Sequence, residues 1–451
     1  MPPARYSCSF NSEQYRFEVF VIGIGNYYYS QLPRFSGLLL ILALLVQPVS
    51  VQAADRSSSL YAEVQQSIYQ VRIINRKTGH KRTIGSGFVI ERPDLLVTNY
   101  HVVSAYTNDP EDYSIEYLAT DGETGVLELI DVDVLHDLAV LVADKDLGKP
   151  LKTDALPEKG ATLYAFGNPL GLGFSVVTGT NNGLLVESED KNILFSGNLN
   201  SGMSGGPALN EQGAVVGVNV ATAGNAVSFL VSSQYLNALI AQLRLTNFEP
   251  RTNLHESIVQ QLKFSTTDML QRLRTSPWKL VSVGNFKAPS RLDKTINCWD
   301  GSENNEDHGL VNVIAVSCSN EREIYLDEKL SVGNIQYQYT WYDSEKMIPP
   351  RFYRMYEAQN TDEAANNATK ENVKDFKCST NFVAIASQDF KMTVCRRDYV
   401  RYQGLSDILV TGAMVSQKQQ GFLFELFMTG VDFKESMRLV KQLFENFQWQ
   451  T

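Results

Sequence analysis

Positive charge is scarce in this 451-residue sequence: 40 Lys and Arg stand against 50 Asp and Glu, leaving a formal charge of −10. The deficit excludes nucleic acid or an anionic membrane as the main partner, since either needs a basic face. Long hydrophobic runs are scarce too. Residues 37–46 (GLLLILALLV) have the length of a secretory leader's apolar stretch and are too short to cross a bilayer. No internal repeat is present, which excludes solenoids and propellers. There are five cysteines and no CxxC spacing, so no metal site is expected, and no organic cofactor either. Cys8 stands alone. Cys298, Cys318, Cys378 and Cys395 suit two disulfides in an oxidising compartment, with buried free thiols as the other reading.

What is present is a globular composition, 43% hydrophobic and 20% charged, which excludes wholesale disorder. At roughly 150 residues per domain the chain has room for two or three. Residues 1–54 read as a signal peptide cleaved after Ala53 or Ala54, or as a leader retained as a membrane anchor; no other membrane link is expected. From residue 60 to about 244, short apolar and β-branched runs such as IYQVRII, SGFVI, LLVTNYHVV and LAVLVA are separated by turn signals. That density of strands predicts an all-β domain over 55–250, closed by a helix at QYLNALIAQLRL. Residues 251–451 mix helical and strand patterns, an α+β accessory domain of unassigned role, with Phe433, Met437, Val440, Leu443 and Phe447 spaced along one helical face. Most of the negative charge falls in the β domain.

Three motifs occur in order in the β domain: TNYHVV at 98–103, HDLAVL at 136–141 and GMSGGP at 202–207. Amide hydrolysis needs a nucleophile, a base that relays its proton, and an acid that fixes the base's tautomer. His, Asp and Ser in that chain order on a strand-rich domain predict a chymotrypsin-like double β-barrel, not a subtilisin or an α/β-hydrolase. Gly202 permits the tight turn that would aim its own amide and that of Ser204 at an oxyanion. His136 is expected to face away from the site, and Asp131 and Asp133 to lie on a solvated strand face. The GLGF string at 171–174 is expected to be a hairpin loop.

Together with GSGF at 85–88, the stretch AFGNPLGLG at 165–173 and GVN at 217–219, these motifs resemble the trypsin-like proteases of the HtrA (Deg) family over about residues 60–245. The resemblance implies His101 as general base, Asp137 as its orienter, Ser204 as nucleophile, and the Gly202 and Ser204 amides as oxyanion hole. It places Asn198 at the floor of the pocket before the scissile bond; with no acid there, small or medium apolar side chains are expected. Asn219, Val220, Ala221 and Thr222 would pair with the substrate backbone as an added strand, which suits unfolded or extended polypeptides. Met203 replaces the family's usual Asn, and no PDZ domain is recognisable in 251–451. A periplasmic or secreted bacterial serine endopeptidase is the expectation. The alternatives are an inactive binding scaffold and a latent protease governed by its C-terminal region, whose disulfides would pair Cys298 with Cys318 and Cys378 with Cys395.

Overall fold

The structure is a computed structural model that describes residues 56–303, 309–360 and 368–450, without the side chains of 221–223. The expected leader and Cys8 lie outside the described residues. Strands β1 (Ile68–Asn75), β2 (Lys81–Val89), β3 (Leu95–Thr98), β4 (Tyr113–Leu118), β5 (Thr124–Asp133) and β6 (Leu138–Ala143) close an antiparallel barrel in the order β1-β2-β3-β6-β5-β4. Strands β7 (Thr162–Gly167), β8 (Ser175–Leu184), β9 (Ile193–Phe195), β10 (Pro207–Leu209), β11 (Val215–Gly224) and β12 (Val227–Ser232) close a second. The double barrel predicted from the sequence is thus observed.

Alternation along the strands builds the packing. Val89, Leu96 and Leu141 fill the first barrel, while their neighbours Phe88, Val97 and Val140 meet Phe166, Val218 and Val231 between the barrels. Helix α1 (Arg56–Val64) adds Leu60 and Val64 to that interface; of the other helices named here, α2 spans Tyr100–Asn108 and α3 spans Ser233–Leu245, capped by Ser232. The segment 168–174 joins β7 to β8, as the hairpin reading requires. Asp131 departs from expectation: a register shift in β5 between Leu129 and Asp131 breaks the alternation, and its buried carboxylate takes a two-pronged pair from Arg251 at 2.8 and 2.6 Å.

Beyond Arg251, helix α4 (Leu254–Thr275) leads into a seven-stranded antiparallel sheet. One face of the sheet carries Tyr337, Tyr339, Phe422 and Phe424, packed with Leu270 and Leu273 of α4 and with Leu439, Val440 and Leu443 of the helix Phe433–Glu445. That helix was expected to bury Phe433 as well, but its ring is partly exposed over Arg396, 5.1 Å from the guanidinium carbon. Cys298 is bonded to Cys318 and Cys378 to Cys395, each pair directly opposite on neighbouring strands. Such facing positions bring the Cβ atoms within reach of one another.

The core does not stop at residue 250. Ile258 and Leu262 of α4, the hairpin Ile324–Asp327/Leu330–Val332, and Tyr402 join the same cluster as Val71, Val102 and Leu141 of the first barrel. The described residues accordingly form one compact unit. Among the described residues no helix is long and apolar enough to cross a membrane.

Candidate active site

His101 sits in the first turn of α2. The sequence reading continues β3 through TNYHVV, but the strand ends at Thr98 and a helix begins at Tyr100. Tyr100, Val103 and Thr107 recur at helical spacing and are buried, and the Tyr100 hydroxyl donates to Leu326 O of the C-terminal hairpin at 3.2 Å. Asp137 occupies the turn between β5 and β6 with φ 54°. Its carbonyl accepts from Asn99 Nδ2 at 2.8 Å and from the Tyr100 amide at 3.2 Å. Its carboxylate accepts the His101 amide at 2.8 Å through Oδ1 and meets His101 Nδ1 at 2.6 Å through Oδ2. These contacts hold a backbone conformation that costs about 1–3 kcal/mol, and they leave Nε2 as the free, basic nitrogen of the ring. Burial favours the neutral imidazole, but the charge of Asp137 and its hydrogen bond prevail, so His101 titrates above its ordinary value.

Ser204 follows a turn that only glycine permits. Gly202 has φ 94°, and a Cβ there would lie 2.5 Å from Asn168 O. The Leu170 amide donates to Ser201 O at 2.8 Å. Because the intervening peptide is planar and trans, anchoring that carbonyl turns the Gly202 N–H the opposite way. Among the described residues neither the Gly202 nor the Ser204 amide donates to a protein acceptor, so both are available to a developing oxyanion. The Ser204 hydroxyl donates to Val220 O at 3.1 Å and makes no hydrogen bond to His101 in this state.

Residues 85–218 match the family described as trypsin-like peptidase domain. They form a trypsin-like peptidase domain. Its relatives include serine proteases of the HtrA, DegP and DegS kinds. A Brucella suis protein named as a DegP-like periplasmic serine endoprotease is 35% identical over 155 residues, covering 32% of this chain and 29% of that one. The serine endoprotease DegS of Salmonella typhimurium is 27% identical over 194 residues, covering 39% of this chain and 53% of that one. The solved serine endoprotease of Yersinia pestis is 25% identical, with a TM-score of 0.37, covering 42% of this chain and 66% of that one. The chain thus spans less than a third of the length of the Brucella relative.

Several details of this trypsin-like domain escape the sequence reading. Met203 packs into the second barrel with Leu163, Ala165 and Phe195, so its place needs apolar volume and no polar partner. Asn198 is exposed and does not form a buried pocket floor; the neighbouring Gly197 and Leu199 point the chain's buried side inward instead. Asn219 is fully buried behind the serine turn and is not open to substrate. Its amide donates to Gly206 O and its carbonyl accepts from the Gly205 amide, both at 2.9 Å, while Nδ2 donates to Phe166 O at 2.8 Å. Of the four strand residues, Val220, Ala221 and Thr222 lie on β11 past its pairing with β10 at Val218, with β12 on their other side. His136 is stacked on Tyr235 with centroids 3.7 Å apart and bonded to Asp133 at 2.7 Å, and it lines the cleft beside His101 where the sequence reading had it face away.

Ser86, from the GSGF string, has a role that spacing could not reveal. Fully buried at the junction of the barrels, its hydroxyl donates to Gly202 O at 2.6 Å and accepts from the Asn168 amide at 2.9 Å, while its own amide donates to Ser204 O at 2.7 Å. Ser86→Ala is expected to cost about 1–3 kcal/mol of stability, since it strands a buried carbonyl and a buried amide. By loosening the serine turn it should also lower kcat by about 10²-fold. Thermal melting and steady-state hydrolysis of a peptide ester measure both; an unchanged kcat contradicts the role.

Proposed function

We propose that this chain is an exported serine endopeptidase that hydrolyses extended or unfolded polypeptides through an acyl-enzyme, without a metal or organic cofactor. The observation that carries the reading is the His101–Asp137 pair at 2.6 Å in a trypsin-like domain whose serine turn leaves two amides unbonded. A polypeptide lying along 220–222 would take the Val220 carbonyl for its own N–H, displacing the Ser204 hydroxyl. The hydroxyl then turns to His101 Nε2, which accepts its proton as Oγ attacks the scissile carbonyl. The oxyanion is held by the Gly202 and Ser204 amides, and His101 returns the proton to the leaving amine. Water repeats the sequence to release the acyl group. The paired disulfides and the periplasmic naming of the Brucella relative support an envelope or secreted location.

Control by the C-terminal region is a second reading with its own support. The acidic loop between β8 and β9 is tied to that region by Glu187–Arg291 at 3.1 Å, Glu189–Arg272 at 2.6 Å and Asp190–Arg322 at 2.9 Å. Tyr325 of the same region meets the His101 ring edge-on at 6.0 Å. The first barrel shares its core with α4 and the hairpin, so the C-terminal region positions the site's walls whatever its signal.

Incubation with a reduced, alkylated protein and with the same protein folded tests the main reading. Cleavage of the unfolded form, absent in Ser204→Ala, is the expected outcome. Binding without cleavage by the wild-type chain overturns it in favour of a scaffold.

A further inference from the structure

A cleft of about 380 Å³ opens beside His101 and Val220. The barrels contribute Leu135 and Phe229 to its lining, and the C-terminal region contributes Glu323, Ile324 and Tyr325. The cleft is therefore assembled from both parts of the chain. Ile324 is buried in the core shared with the first barrel, which fixes the hairpin's position over α2. Tyr325 stands edge-on to His101. The chargeable groups facing the cleft are acidic or already paired: Asp137 is engaged with His101, His136 with Asp133, Asp190 with Arg322, and Glu323 is exposed with no ion-pair partner among the described residues.

We infer that the segment Glu323–Tyr325 is a specificity element of the protease: it completes a subsite for the second residue before the scissile bond, taking an apolar side chain and rejecting an acidic one. This rests on the endopeptidase reading above. A substrate strand paired to β11 puts the N–H of the residue before the scissile bond on Val220 O. Side chains of a strand alternate, so the next residue upstream points to the other side, into the space flanked by His101 and Val220. Leu135, Phe229 and Ile324 offer it apolar contact, and the unpaired Glu323 at the rim repels a carboxylate. Two barrels alone would leave this subsite open on the side that the hairpin covers. The C-terminal region would thus select substrates directly, by lining the site.

The test uses the full mature chain and a set of fluorogenic peptides that differ only at that second position, as Leu, Ala, Lys or Glu. The wild type is expected to turn over the Leu peptide at least about tenfold faster in kcat/KM than the Glu peptide, a discrimination of the size one pocket supplies. Glu323→Lys, a change at an exposed position, should lower the Lys-to-Glu ratio by about tenfold, because the rim charge reverses. Ile324→Ala should narrow the Leu-to-Ala ratio; should that variant not fold, the Glu323 result stands by itself. Ratios within twofold of wild type for Glu323→Lys overturn the inference. Release of nitrophenol from p-nitrophenyl acetate, absent in Ser204→Ala, separates the two failures, because the small ester reaches no upstream subsite. Ester turnover with flat peptide ratios sinks only the subsite, and no ester turnover sinks the protease reading beneath it.

Discussion

Ser204→Ala is expected to lower kcat for peptide hydrolysis by about 10⁶-fold, the loss found when a triad nucleophile is removed. The structure explains why the fold should survive the change. The hydroxyl makes one hydrogen bond, to Val220 O at 3.1 Å, worth about 0.5–1.5 kcal/mol. The turn itself is held by other groups, namely Ser86, Leu170 and the backbone of Asn219. Catalysis should not fall to zero, because the Gly202 and Ser204 amides still favour charge on the carbonyl oxygen; triad-less sites of this kind retain about 10³–10⁴-fold over water. Single-turnover kinetics on a peptide ester, with circular dichroism as the check on folding, measures the effect. A loss of less than tenfold would place the nucleophile elsewhere.

Asp137→Asn is expected to cost about 10⁴-fold in kcat near neutral pH. The amide side chain can accept from the His101 backbone or donate to the ring, but it cannot hold Nδ1 as a donor by charge, so the wrong tautomer is favoured. The pH profile adds a sign that a merely structural defect lacks. Burial favours neutral His101, and the Asp137 charge and hydrogen bond overcome it to raise the pKa above the ordinary 6.5. A general base acts only when deprotonated, so wild-type kcat/KM should be low in acid and rise through a midpoint above 6.5. In Asp137→Asn both raising influences are gone while burial remains, and the midpoint should move to lower pH. A midpoint that stays put, or moves up, contradicts the assignment of His101 as base.

The sequence made the barrels legible because alternation survives wherever one face of a strand is buried: Phe88 and Val89, or Val140 and Leu141, split cleanly between two cores. The pairing of His101 with Asp137 was legible because a base needs an acid to hold its tautomer, and the two motifs stand in the chain order that supplies one. Other features depend on contacts that no local pattern encodes. A one-residue register shift in β5 turned Asp131 inward to meet Arg251, 120 residues away. The segment LLVTNYHVV reads as a strand by residue type. The helical spacing of Tyr100, Val103 and Thr107 was the signal that could have ended the strand at Thr98. Asn219 looked like an open edge because its neighbours are strand formers, while the close approach of Gly205 and Gly206 makes it a brace.

The C-terminal region was the least legible part. Its helices follow the predicted period, but strands such as Ser406–Met414 and Gln420–Val431 are buried on both faces, and how these elements dock was not legible. Ile258, Leu262, Ile324 and Leu326 are ordinary core residues in sequence, and only the structure puts them in the core of a barrel that begins near residue 68. The acidic residues Glu187, Glu189 and Asp190 likewise meet partners that no local pattern encodes, since Arg272, Arg291 and Arg322 arrive from beyond the β domain. Such pairs contribute little each when exposed. Arg322 is buried and also donates to Ser265 Oγ at 2.7 Å, so loss of Asp190 would leave its charge uncompensated in the interior.

Mass analysis after treatment with a fluorophosphonate decides whether Ser204 is an activated nucleophile, because the reagent bonds to a serine only where a base and an oxyanion site act on it together. A single adduct on the folded chain is expected, mapped to Ser204 and absent from both Ser204→Ala and His101→Ala. A folded chain that takes up no reagent, or one whose adduct persists in Ser204→Ala, would contradict it.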